Sequence, residues 1–115
     1  MNGVIIPPIY SNDSKTYYNA SNKTVTVHRI SEHIRVFKVW NASINIVQGI
    51  TLDSIDRPPT AMDSPLFVTD AGKVGRFRIN GQNGTITAYV LDSYASGTFI
   101  TSDTSSTFIE FFYMV

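Results

Sequence analysis

At 115 residues the chain fits one domain, and nine basic residues against nine acidic ones leave no net charge. That balance argues against a nucleic-acid partner, which needs surplus Lys and Arg, and against a polybasic membrane anchor. The lack of cysteine excludes disulfides and thiolate metal sites, and no apolar run approaches the ~20 residues of a spanning helix.

Residues 1–13 hold Pro7, Pro8 and few charges. They are expected to form an N-terminal arm or linker, or an edge strand blunted by proline, ahead of a domain over 14–115. Residues 1–9 have neither a basic n-region nor a long apolar h-region, so no secretory signal is expected. Beyond the arm, Leu, Glu, Lys and Ala are sparse while Ile, Val, Thr, Phe and Tyr dominate, a composition that favours strands. Turn clusters recur at about the eight-to-twelve-residue spacing of all-β domains: Ser11 to Ser14, Asn19 to Asn22, Asp56 to Pro59, Asp70 to Gly72 and Asn80 to Gly84. Strands are expected over 16–18, 24–30, 33–40, 42–52, 66–69, 74–79, 85–91, 97–101 and 107–114. The fold class is all-β, an antiparallel sandwich or barrel.

Alternation assigns the faces. Ile86, Ala88 and Val90 share one side of their strand, with Thr85, Thr87 and Tyr89 on the other. Phe77 and Ile79 point inward, and Arg76 and Arg78 outward. Segment 33–40 places Ile34 and Val36 opposite Phe37 and Val39, which suggests a bulge. The closing strand is apolar on both faces, through Ile109, Phe111 and Tyr113 on one and Phe108, Phe112 and Met114 on the other. One face suits a core, and the other needs a covering loop or another chain.

No motif makes a case for an enzyme. The acidic residues other than Glu110 lie largely in turn clusters, where Asp is ordinary turn chemistry. Glu110, inside the most apolar strand, reads as a solvent-facing or salt-bridged residue rather than a catalytic acid. His28 and His33 flank a bend with Glu32 and read as solvated rather than as metal ligands. Gly-x-Ser-x-Gly and the phosphate-loop spacing are both missing. No cofactor is expected. The five Asn-x-Ser/Thr sequences, at Asn12, Asn19, Asn22, Asn41 and Asn83, read as turn chemistry rather than glycosylation.

Saccharide binding asks for an aromatic face and planar polar groups that fork onto hydroxyls. Trp40, the sole Trp, is either such a platform or a core-capping ring, and Tyr17, Tyr18, Tyr89 and Tyr94 are further platforms. Tyr17 and Tyr18 are adjacent, so only one can face a core. Arg29, Arg35, Arg57, Arg76, Arg78, Asp56, Asp63, Asp92 and both His are candidate hydrogen-bonding partners. Of these groups, Trp40, His28, Arg57, Asp56, Asp63 and Tyr89 are the expected saccharide-binding set.

The order of pieces resembles the C-terminal head domain of receptor-binding proteins on tails of phages that infect Gram-positive bacteria, the lactococcal ones among them. Leu52 to Pro58 matches a strand entering an Arg-Pro turn, Gly75 to Val90 a strand and an Asn-Gly hairpin, and Gly97 to Val115 a glycine-led closing strand pair. The likeness covers roughly residues 24–115 and is a pattern of turns and alternation; the family's N-terminal shoulder and neck have no match here. It implies a homotrimeric, non-enzymatic adhesin head on a virion tail tip or fibre, made in the host cytoplasm and contacting other tail or baseplate proteins. Its ligand would be a host cell-wall polysaccharide, with no membrane insertion. Phe108, Phe111, Phe112, Tyr113 and Met114 are the expected trimer contacts. The alternative is a structural trimeric fibre, baseplate or capsid decoration protein without a ligand.

Overall fold

A computed structural model describes residues 13–18, 24–43, 47–92, 95–100 and 105–115, the side chains of Thr24 and 40–43 excepted. The expected arm lies outside the described residues apart from Asp13, which opens the first strand. Nine strands follow among the described residues: β1 (Asp13–Tyr18), β2 (Thr24–Arg29), β3 (Ile34–Ser43), β4 (Met62–Asp63), β5 (Phe67–Val68), β6 (Val74–Ile79), β7 (Ile86–Leu91), β8 (Phe99–Ile100) and β9 (Ser106–Met114). A 3₁₀ turn spans Ser54–Asp56. The protein is all-β and antiparallel.

The first sheet runs β1-β2-β3-β9 and the second β4-β6-β7-β8, with β5 also on the edge of β6. Ser64 divides that edge. Its N–H donates to Phe77 O at 2.7 Å, and its hydroxyl accepts from Phe77 N at 2.8 Å, so the chain kinks between β4 and β5 without leaving β6. In the first sheet Val25, Val27, Phe37, Val39, Phe111 and Tyr113 turn inward. They meet Phe67, Phe77, Ile79, Ile86, Ala88 and Val90 of the second in one apolar cluster. An aromatic row ties the sheets together. Phe67 lies 4.8 Å from Phe77, Phe77 5.7 Å from Phe37, and Phe37 is stacked 4.9 Å from Phe111.

Three expectations change. The bulge expected within 33–40 is displaced to the end of that segment: the β3–β9 register is unbroken from Ile34 to Val39 and the β2–β3 register from Arg35 to Val39, and the shift falls between Val39 and Ala42. Ile34 and Val36 are outward residues, opposite Met114 and Phe112. Residues 42–52 do not form one strand. After Ser43 the described chain resumes at a turn with Gly49 at φ 84°, which only glycine adopts readily, and pairs as a single bridge, Thr51 to Thr85. Buried Val47, Ile50 and Leu52 explain the apolar signal there. Phe111 and Tyr113, expected at a trimer contact, are core residues at 6% and 4% exposure.

Candidate functional site

The expected saccharide-binding residues do not share one place. Asp56 sits on the 3₁₀ turn, fully buried. Its Oδ1 accepts from Arg29 Nε at 2.9 Å and Arg35 Nε at 3.0 Å, while Oδ2 accepts from Arg29 Nη2 at 2.9 Å and the Tyr17 hydroxyl at 2.5 Å. The Asp56 carbonyl accepts from the Tyr113 hydroxyl at 2.6 Å. Arg35 lies on the same side of β3 as Phe37 and Val39, so its charge is inside. Its remaining N–H groups donate to Ser31 O at 2.7 Å and Ile55 O at 3.0 Å. Asp13 accepts from Arg29 Nη1 at 2.8 Å, which balances two guanidiniums with two carboxylates. Burial opposes ionisation of Asp56, yet donation from Arg29, Tyr17 and Arg35 holds its carboxyl below the usual range. Burial raises both Tyr17 and Tyr113, with the Asp56 charge adding to it, so both stay protonated donors.

This removes Asp56 from a ligand site, because every strong acceptor direction is already filled. Arg57 is committed as well. Its Nε donates to Leu52 O at 2.9 Å and its Nη1 to Gln82 O at 3.3 Å, fastening the turn to the loop before β7. Gly84 makes that approach possible. It holds φ 73°, and a Cβ there would lie 2.5 Å from Leu52 O and 2.7 Å from Arg57 Nε. Adjacent residues thus serve the two sheets, Asp56 the first and Arg57 the second. The turn is a clamp.

His28 is exposed on the outer side of β2, paired with Ser14 and Val36, and lines a surface cavity of about 270 Å³ with Asp13, Arg29, Ile30 and Val36. Trp40 falls within β3, but its side chain is outside the described residues, so its platform role has no geometry. Tyr94 is likewise outside them. Asp92 is exposed, beyond the end of β7. Of the adjacent tyrosines, Tyr17 faces the core and Tyr18 is exposed.

Asp63 and Tyr89 do come together, on the outer face of the second sheet. Cross-strand register places Asp63 opposite Arg78, and Arg76 opposite Tyr89. Asp63 accepts from Arg78 Nε at 2.7 Å and Arg78 Nη2 at 3.1 Å, a planar fork. That hydrogen bonding, with the charges of Arg78 and Arg76, lowers the Asp63 pKa. The Arg76 guanidinium carbon stands 5.5 Å from the Tyr89 ring centre and 5.1 Å from that of Phe99. Phe99 did not stand out in the sequence. Its signal was positional only: an aromatic in the strand after β7, which the register brings opposite Leu91. The result is a partly exposed surface of two half-buried rings, two cations and one carboxylate. Such a surface can stack on an apolar ring face and fork onto polar substituents.

The outer face of the first sheet has another character. Phe112 and Met114 are 76% and 64% exposed, opposite Val36 and Ile34, and Phe108 is 58% exposed. Glu110 is exposed beside Lys38 at 3.8 Å. No group of three or more potential metal ligands occurs among the described residues. No protein-family model matches the chain, and no curated protein or solved structure shows significant similarity to it.

Proposed function

We propose that the chain is the head of a trimeric, non-enzymatic adhesin of the phage receptor-binding type, a β-sandwich that recognises a saccharide of the bacterial cell wall. The observation that carries this reading is the outer face of β6 and β7. There Tyr89 and Asp63, two residues chosen for saccharide chemistry, lie on one surface with Arg76, Arg78 and Phe99. A rigid sheet presents the rings and forks without a mobile loop, which suits a weak site repeated over copies for avidity. Trp40 stays in the proposal on its chemistry alone. Purified cell-wall polysaccharide should bind the protein, and Tyr89→Ala should weaken binding by about tenfold, the value of one stacked ring. Unchanged affinity in a folded Tyr89→Ala protein removes this face from the site.

A second reading, a fibre, baseplate or capsid decoration protein without a ligand, draws on the exposed Phe112 and Met114. That apolar surface calls for a partner whether or not a sugar binds. It predicts assembly with no retention of wall glycans.

A further inference from the structure

Arg76 and Arg78 both project from the outer face of β6, yet among the described residues one carboxylate serves them. Both oxygens of Asp63 are engaged by Arg78. Arg76 Nη1 stands 3.7 Å from Asp63 Oδ2, close enough for attraction and too far for a hydrogen bond. Its Nε is buried and has no hydrogen-bond partner among the described residues. The guanidinium is positioned instead by the Tyr89 and Phe99 rings. Among the described residues the cluster therefore carries two positive charges against one, and its incompletely neutralised cation is the one fixed between aromatics. A guanidinium already ordered by its neighbours loses little freedom when it binds, and its outer N–H groups form a fork matched to an oxyanion. The flanking rings supply an apolar surface for whatever carries that anion.

We propose that Arg76, held by Tyr89 and Phe99, anchors an oxyanion subsite, and that this face takes a saccharide bearing a carboxylate or phosphate substituent. The inference rests on the saccharide reading above and adds the charge of the ligand. It also makes binding sensitive to salt, since the ligand's charge is met at a partly exposed cation.

Calorimetric or NMR titration of the full chain tests it with a uronate-containing oligosaccharide, a sugar phosphate, and a neutral oligosaccharide of matched length. The anionic probes should bind about tenfold more tightly than the neutral one, the increment of a charge-assisted hydrogen bond. Whichever anion gives the larger increment identifies the substituent. Arg76→Gln should abolish the increment, so that anionic and neutral probes then bind the variant alike. Arg76→Lys should keep only part of it, because the fork is gone. Lys38→Gln, on the other sheet, should change nothing. Equal affinity for anionic and neutral probes, no binding of any probe, or an increment that survives Arg76→Gln overturns the subsite. Wall polysaccharide that binds Arg76→Gln as well as the parent would overturn the subsite and keep the adhesin reading. Sugar phosphate held through Arg76, with wall polysaccharide ignored, would do the reverse.

Discussion

Asp56 is fully buried and its carboxylate accepts four hydrogen bonds from three side chains. A lone carboxylate moved from water to a protein interior costs several kcal/mol, and here three side-chain donors offset it. Asp56→Asn removes the charge that two guanidiniums need, and should destabilise the protein by about 3–5 kcal/mol in urea denaturation. The pH dependence has a definite sign. The Asp56 pKa is lower in the folded than in the unfolded chain, so the unfolded state takes up protons first as pH falls. Its stabilisation is complete above the unfolded value, about 4, and is lost progressively below it. Thermal midpoints should therefore show no Asp56-linked loss between pH 7 and 5 and a fall below about 4, and that acid-linked part should be missing in Asp56→Asn. An identical acid profile in the variant would mean that other carboxylates set it.

The sheets obey alternation more strictly than their composition suggests, and β9 shows it best. Its inward Phe111 stacks on Phe37, while its neighbour Phe112 stands in solvent beside Val36. Phe111→Ala should cost about 3–5 kcal/mol, the range for a truncated core aromatic, whereas Phe112→Ala should leave the stability of a single copy within about 0.5 kcal/mol. Denaturation at low protein concentration checks the pair, and equal losses would contradict the assigned faces. The strands and the Asn80 to Gly84 hairpin were legible because turn residues and period-two patterning are local signals. Arg35 was not, although parity already put it with Phe37 and Val39; its partner Asp56 lies 21 residues away, and no local rule joins them. The 42–52 segment misled for a related reason. Val47, Ile50 and Leu52 are buried by tertiary packing rather than by strand pairing. Asp63 with Tyr89 was legible as chemistry, while their meeting depended on the register of β4, a two-residue strand with no pattern of its own.

At the scale of the whole molecule the two outer faces divide the work of the proposed adhesin. In that proposal the partly exposed cations and rings of the second sheet are for a ligand, and the exposed Ile34, Phe112 and Met114 of the first are for another copy. Phe111 and Tyr113 belong to the core, so the contact proposed for the trimer narrows to Phe108, Phe112 and Met114 with Ile34 and Val36 beside them. Burying large apolar side chains on this face is worth roughly 1.5–3 kcal/mol each, repeated for every copy. Phe112→Glu combined with Met114→Glu places like charges beside Glu110 on the same surface while leaving the core side of β9 untouched. Light scattering should find three times 12.8 kDa for the parent protein and a single copy for the double variant, with the variant's β-sheet circular dichroism unchanged. A parent that stays single at high concentration would break the link between this face and assembly. A trimer that survives both glutamates would place the contact elsewhere, and the Phe112 surface would then need a different partner.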